Sequence, residues 1–323
     1  MLVKFNYVVV SLLIAAFSFS ALAQDKKKTA EKPAAEVKAE TTKSQTEEDE
    51  GDKLITNRRL RADMGSTSNW SVRTFWSYSG GSLEKPFTAD RPNIDAGADN
   101  LTLANASGDV GIRYRMTKFD SLNLNIGLNM TAPFHTSFKS SNPALQDNFD
   151  RNKQKMTANN PSLTYNHIAS IWGMQSSTSF QVMYITNAQL EDTYRTYGSA
   201  SQTLMKDFGN GFSAGSSFVY AGYTYAPGFK GTTLDRTFGV YPQLEYTLND
   251  TLMLRTVFRT WVYDRVEGVN KPWTYDKRKV TQSAGVGISI SRDVFLYPNI
   301  QFVPSDMRSD RTNVGITANI NLF

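Results

Sequence analysis

The sequence predicts an all-β fold: a transmembrane antiparallel up-and-down β-barrel of about twelve strands, preceded by a disordered charged tail. Three observations predict it. Apolar and polar residues alternate one for one in segment after segment from Asn69 onward. The connections between these segments are short and long in turn. The polar half of the alternation is Asn, Ser, Thr and Gly with scattered Arg, the composition of a wet or hydrogen-bonded interior. Successive side chains of a strand point to opposite faces, so strict alternation means two different environments.

The strongest alternation is Leu122, Leu124, Ile126, Leu128 and Met130, interleaved with Asn123, Asn125, Gly127, Asn129 and Thr131. Val110 to Thr117, Leu252 to Tyr263, Val280 to Ile290 and Asn313 to Leu322 repeat it. A soluble β-sandwich gives the same period by burying its apolar face in a core. Segments of about ten residues suit a tilted bilayer crossing instead. Short turns are expected at Lys118–Ser121, Gly173–Ser176, Gly209–Gly211, Leu248–Asp250 and Arg292–Asp293. Longer polar loops are expected at about Ser79–Gly108, Ala132–Asn160, Thr186–Gly198, Ala226–Thr233 and Asp264–Arg278. Twelve strands result, beginning near Trp70, Asp109, Ser121, Pro161, Ser177, Ser199, Phe212, Thr233, Thr251, Lys279, Val294 and Asp310. An even number puts both barrel ends on one side of the membrane, and closure leaves no sheet edge for lipid to meet.

Ahead of the strands the chain changes character twice. Residues 1–23 read as a signal peptide: Lys4, an apolar run from Tyr7 to Phe19, and Ala21-Leu22-Ala23 before a cut at Gln24. Residues 24–65 read as a disordered periplasmic tail and residues 66–323 as the barrel. From Gln24 to Lys53 there are seven Lys against nine Asp or Glu, and almost no large apolar residue. Such a segment cannot bury enough surface to offset chain entropy. It serves as a solvated spacer or reaches the peptidoglycan. The stretch Leu54–Asp63 (LITNRRLRAD) reads equally as a short helix or as an arm entering the lumen.

Composition excludes other classes. There is no cysteine, so no disulfide, thiol nucleophile or Cys-based zinc site is available. Two histidines, His135 and His167, give little material for a metal centre. No cofactor is expected. After the signal peptide no apolar run is long enough for a membrane helix. The mean hydropathy of −0.40 looks soluble, but a barrel with one apolar and one polar face hides from averages. The net charge of +5 divides into −2 on the tail, +1 at Lys4 and +6 on residues 54–323. No basic, aromatic-interleaved patch supports nucleic-acid binding.

Aromatics gather at both ends of the strands. Trp70 and Trp172 lie near short turns; Trp76, Tyr78, Tyr184, Trp261 and Tyr263 lie near long loops. Amphipathic rings favour the two membrane–water boundaries, so these residues are expected to form girdles. With the signal peptide, absent cysteine, alternation and terminal Phe323, the chain resembles the bacterial outer-membrane β-barrel proteins over residues 69–323. The resemblance is porin-like in architecture and rests on no family-specific motif. It implies an outer-membrane location, contact with outer-membrane lipid, and insertion by the barrel-assembly machinery, whose substrates carry a terminal aromatic. Phe323 is out of phase with Leu322, Ile320 and Ala318, so a terminal bulge or shifted register is expected. Proline recurs as Pro161-x-Leu-x-Tyr, Pro242-x-Leu-x-Tyr and Pro298-x-Ile-x-Phe, where a missing ladder donor suggests a bulge or a strand start.

No catalytic constellation emerges, and no enzymatic activity is expected. Outer-membrane phospholipases, similar in strand number only, carry His-x-Ser on the outer face; here Asn166-His167-Ile168-Ala169 puts alanine in the nucleophile's place. Outer-membrane proteases use Asp and His pairs, and neither histidine has an obvious carboxylate neighbour in the sequence. The remaining signal is the lumen. Parity points Arg73, Arg113, Arg115, Arg255, Arg259, Lys279 and Arg311 inward, against Asp207, Asp235 and Glu245. Charges on a pore wall select ions, so the expected function is a channel for small solutes or ions with an anion preference. The alternative is a non-conducting structural or adhesion barrel, its arginines paired with inward carboxylates and its action carried by long surface loops and the tail.

Overall fold

The computed structural model describes residues 50–135, 155–187, 190–267 and 274–323. The signal peptide, the tail through residue 49 and most of the second long loop lie outside the described residues. Two short helices come first, α1 (Glu50–Leu54) and α2 (Arg58–Met64). The strands follow: β1 (Trp70–Ser82), β2 (Asp90–Pro92), β3 (Leu101–Leu103), β4 (Asn105–Arg115), β5 (Asp120–Thr131), β6 (Lys155–Ile171), β7 (Met174–Tyr184) and β8 (Tyr194–Asp207). Then come β9 (Phe212–Tyr225), β10 (Thr233–Thr247), β11 (Leu252–Arg259), β12 (Trp261–Glu267), β13 (Asp276–Lys277), β14 (Thr281–Ser289), β15 (Val294–Phe302) and β16 (Asn313–Leu322).

Twelve wall strands form a closed antiparallel up-and-down barrel. Each pairs with its neighbours in sequence, and β16 returns to β1 through Val72↔Leu322, Trp76↔Ala318 and Tyr78↔Ile316. β11 and β12 are one wall strand interrupted at Thr260. β10 pairs with β11 over Gln243–Thr247 and with β12 over Thr233–Val240. β2 and β3 form a separate ribbon inside the first long loop. All twelve expected strands are present. Several reach further toward the long loops than the alternation marks, β6 from Lys155 and β8 from Tyr194. Beyond the apolar band the ladder continues, but nothing forces one face to be apolar, so the pattern fades before the strand ends.

Burial is inverted relative to a soluble sandwich. Leu124 is 61% exposed and Val182 63%, and Ile112, Leu163, Phe218 and Leu254 also face outward. Asn123, at 1%, is buried with Asn125, Gln243, Thr281 and Ser283. An apolar outer face of this extent is stable only against lipid, and polar side chains can fill the interior only where other polar groups meet them.

Turn chemistry sets the short end. Trp172 and Gly173 both take positive φ, 52° and 70°, between Ile171 and Met174. That is the two-residue turn whose twist suits a hairpin, and the glycine supplies one of the two left-handed positions without strain. At the other end, the first long loop bends back over the wall. Buried Asn313 Nδ2 donates to Pro92 O at 2.9 Å, and Ile94 packs with Ala98 and Val303.

Pro161 sits at a bulge, as its missing donor suggests: the β5–β6 register shifts between Asn125 and Gly127, and Asn160 takes φ 53°. The C-terminal phase has a different cause from the one expected. Asn319 and Asn321 are buried inward, and no register shift occurs between β1 and the end of β16. Phe323 itself turns to φ 75°, which leaves its ring 84% exposed. Within residues 24–65, Glu50–Leu54 and Arg58–Met64 are helical, in keeping with the helical reading of Leu54–Asp63, and Ile55, Leu60 and Met64 pack against wall residues.

If the outer face meets lipid, Leu124→Arg should destabilise the barrel by up to about 2–4 kcal/mol, depending on depth. Denaturant unfolding of the vesicle-inserted protein measures this. A loss within about 0.5 kcal/mol, the range for a neutral surface change, would contradict the assignment of this face.

Candidate functional site

The lumen is where the sequence places its charges, and α2 stands inside it. Asn57 caps the helix with extended backbone, and its Oδ1 accepts from Leu60 N at 3.1 Å. Capping satisfies a donor that a helix start otherwise leaves open. Leu60 and Met64 fall on one face at i and i+4. That face packs with Ile55, with Ile168 of β6 and with Met205 of β8. Ala62 packs on Met253, Phe295 and Tyr297 from β11 and β15. Gly65 ends the helix at φ 88°, and a Cβ there would lie 2.7 Å from the Arg113 side chain. Glycine is required at this position by the backbone conformation, and the Arg113 side chain passes through the space a Cβ would take.

Polar contacts fix the helix at both ends. At its start, Asn57 Nδ2 donates to Glu245 Oε2 and Asn57 N donates to Gln175 Oε1 at 2.8 Å. Arg59 reaches Glu245 Oε1 at 3.3 Å and Asp63 at 2.9 Å. Arg255 Nε meets the same Glu245 oxygen at 3.0 Å, and its Nη2 donates to Gln243 Oε1 at 2.9 Å. The Arg255 guanidinium also lies 4.7 Å from the centroid of the Tyr297 ring. Glu245, with its side chain 2% exposed, is therefore held between two guanidiniums and an amide. Burial alone would lower the pKa of Arg59; Glu245 and Asp63 outweigh it and raise the value above the arginine norm.

At the helix end the wall supplies donors to carbonyls. Asn321 Nδ2 donates to Ala62 O at 2.8 Å, Arg292 Nη1 to Gly65 O at 2.7 Å and Arg113 Nη1 to Ser66 O at 2.7 Å. Asn319 Nδ2 donates to Asp63 Oδ1. The last carbonyls of a helix carry partial negative charge, so arginines are well placed there and the Glu245 carboxylate is well placed at the start.

The inward arginines expected from the sequence thus divide. Arg113, Arg255 and Glu245 belong to the docking network of α2. Arg73 faces inward beside Asp109. Arg259 lies on the inward face of β11, and its Nη1 is buried without a hydrogen-bond partner among the described residues. Arg115 is at the short-turn rim, where it donates to Thr67 O and Lys118 O. Lys279 and Arg311 are not on wall strands. Both sit at the long-loop end against Asp99, at 4.0 and 2.9 Å. Both precede the strands that begin at Thr281 and Asn313, in positions where parity no longer fixes a face. Asp306 and Asp99 raise the pKa of Arg311, the Asp306 hydrogen bond most of all.

Of the aromatic residues expected to form girdles, Trp70, Trp172 and Tyr184 lie at strand ends or turns, whereas Trp76 falls in the middle of β1 and Trp261 beside the interruption at Thr260. Trp70 and Trp172 are exposed by the short turns, with Trp70 4.6 Å from Tyr114. Tyr184 and Trp261 are exposed, while Trp76, Tyr78 and Tyr263 are half-buried. His167 does have a carboxylate partner: its Nδ1 is 2.8 Å from Asp120 Oδ1, which also accepts from Tyr165 OH. Their register pairing across β5 and β6 could not be read from a spacing of 47 residues.

No family model matches the sequence, and no curated protein matches it. Solved structures do. The COG4313 outer membrane channel from Pseudomonas putida F1 aligns with a TM-score of 0.51 and 10% identity, over 80% of this chain and 98% of that one. The NanC porin aligns at 0.40 and 7%, over 78% and 98%. LpxR from Salmonella typhimurium aligns at 0.36 and 13%, over 78% and 99%. The chain has the fold of an outer-membrane β-barrel.

The sequence leaves Leu54–Asp63 open between a short helix and an arm entering the lumen, and the structure has a helix there, Arg58–Met64, packed on wall residues. Asn57, Arg59 and Asp63 are functional residues that alternation does not single out. Asn57 ahead of Leu60 and Met64 at i, i+4 spacing, with Arg59 and Asp63 also at i, i+4, was the available signal.

Glu245→Gln should leave two buried guanidiniums facing a neutral amide. The expected cost is about 3–5 kcal/mol, the range for breaking a buried pair. Trypsin cleavage after Arg58, Arg59 and Arg61 should rise in the folded barrel, which mass spectrometry would detect. Unchanged cleavage would mean that Glu245 does not hold the helix.

Proposed function

We propose that the protein is an outer-membrane channel for small solutes whose short-turn end is narrowed by its own N-terminal helix. The observation that carries this reading is the way α2 is held. Its contacts with the wall include hydrogen bonds and ion pairs to Glu245, Arg113, Arg292 and Asn321, which can exchange for water. Release of the helix also uncovers Ile55, Leu60, Ala62 and Met64, which are buried against Ile168, Met205, Met253, Phe295 and Tyr297. The likeness to the COG4313 channel supports the fold on which such a pore would be built.

The short-turn end faces the periplasm in this reading, with the tail on that side and within reach of peptidoglycan. The terminal Phe323 suits recognition by the barrel-assembly machinery. Anion preference rests on Arg259 and Arg73, since Arg113 and Arg255 are engaged in docking. Arg278 is paired with Asp264 and adds little net charge.

A non-conducting barrel is the second reading, and the Glu245 network favours it: a helix fixed this firmly can act as a permanent filling. Planar-bilayer recording with a salt gradient separates the two. The channel reading expects small, infrequent openings in the native protein and larger, more frequent ones in an Asn57→Ala/Arg59→Ala variant. Arg259→Ala should shift the reversal potential toward non-selectivity. Silence in both native protein and the double variant supports the filled barrel, and a cation-selective reversal potential rejects the anion preference.

A further inference from the structure

At the long-loop end of β8 and β9, five aromatic rings form a continuous strip on the inner wall. Tyr194 and Tyr197 stand on β8, Tyr223 and Tyr225 on β9, and Phe229 in the loop that follows. Ring centroids are 5.1 Å apart for Tyr197 and Tyr223, 4.3 Å for Tyr223 and Tyr194, 6.1 Å for Tyr194 and Tyr225, and 5.7 Å for Tyr225 and Phe229. Phe218 and Tyr220 are exposed on the outer face of β9, so Tyr223 and Tyr225, of the opposite parity, face inward. Register places Tyr197 directly opposite Tyr223.

The members of the strip are held differently. Tyr194 is buried, and its hydroxyl donates to Leu234 O at 2.9 Å, so it anchors the strip to β10. Tyr197 and Tyr223 are half-buried, and neither hydroxyl has a hydrogen-bond partner among the described residues. Their rings meet at 56°, and their uncovered surface lies on the lumen side. Beside Tyr223, Asp264 accepts from Thr237 Oγ1 at 2.7 Å and from Arg278 Nη2 at 2.9 Å. This pair is polar with little net charge.

The combination restricts what can bind. A small ion finds little net charge beside the strip. A wholly apolar solute would strip water from the tyrosine hydroxyls and the ion pair and give nothing back. A solute with an apolar ring face and a rim of hydroxyls satisfies both kinds of group. Tyrosine presents a large flat apolar surface with a polar tip, and a few convergent polar groups fix orientation. We propose that this strip binds a neutral sugar, with the C–H face of a pyranose ring on Tyr197 and Tyr223 and its hydroxyls toward the tyrosine hydroxyls and the Asp264–Arg278 pair. A role in passage rests on the channel reading; the binding site does not.

Saturation-transfer NMR of the full-length protein in a sugar-free detergent tests the site, with cellobiose as the probe. Sorbitol, an open-chain polyol without a ring face, is the comparison. Cellobiose should show saturable transfer to its ring C–H protons, and sorbitol none. Tyr197→Leu/Tyr223→Leu keeps apolar bulk and removes both flat faces, and should weaken cellobiose binding by at least about fivefold. Tyr197→Phe/Tyr223→Phe keeps the faces and should bind more tightly than the Leu pair. Heat-modifiable gel mobility reports whether each variant is folded. If the Leu pair does not fold, Tyr197→Leu alone carries the test, with a loss of roughly two- to tenfold expected. No saturable transfer from cellobiose, equal transfer from sorbitol, or undiminished binding in the folded Leu variant overturns the site. Tighter binding of benzoate than of cellobiose overturns the sugar assignment.

Cellobiose uptake by proteoliposomes tests passage separately. Binding in detergent without uptake in either the native protein or the Asn57→Ala/Arg59→Ala variant leaves the site standing and overturns the channel reading. Uptake that is unchanged when the strip no longer binds cellobiose overturns the role of the strip in passage.

Discussion

Closure of the backbone ladder between β1 and β16 is the constraint on which everything else in this molecule depends. Within a bilayer no water pairs with an exposed N–H or C=O, and each orphan group costs several kcal/mol. Once Val72 pairs with Leu322 and Tyr78 with Ile316, no strand edge remains. The alternation of apolar and polar residues then follows from geometry, since every wall strand has one face toward lipid and one toward the inside. The short turns follow as well, because an up-and-down sequence of neighbours needs only hairpins at one end.

Closure creates a second problem. The inward face of each strand is polar, and twelve strands enclose a space too narrow to be treated as bulk water. Charges there need partners or solvent. Glu245 and Arg255 lie directly opposite on β10 and β11, and α2 completes their environment with Asn57 and Arg59. Arg113 and Arg292 find their acceptors in carbonyls at the other end of that helix. The helix and the wall charges therefore solve one problem jointly. The wall supplies charge of the sign that each helix end attracts, and the helix supplies the groups that the wall charges lack.

This mutual dependence explains what could be read from the sequence. Strand existence, facing and the asymmetry of loop length came through because they depend on local alternation. Leu124 and Asn123 report their faces independently of anything distant. Arg113 and Glu245 are buried, and Arg255 meets Glu245 across the β10–β11 pair, on the face their parity assigns. Their partners did not come through. Arg59 and Glu245 are 186 residues apart, and the Arg113 acceptor is a main-chain carbonyl, which no residue type encodes. Lys279 and Arg311 lie off the wall strands, and parity has meaning only while the ladder continues. The Asp120–His167 pair has no signature in the sequence because register, and not spacing, brings the two strands together.

The size of α2 determines what an open state would be. It has seven residues, well below the length at which an isolated helix holds together in water. Its helicity comes from the cap at Asn57, from burial of Leu60 and Met64, and from donors that the wall directs at its final carbonyls. A helix of this length that leaves the wall loses all three together. Undocking and unfolding are then a single event, and the released segment is a flexible strand of chain instead of a rigid stopper. Such a segment can thread aside in a narrow lumen where an intact helix could not. The conformational entropy it regains offsets part of the ion-pair and burial energy given up. A short, cap-dependent helix held by polar contacts is accordingly better suited to a reversible closure than a longer and independently stable one would be.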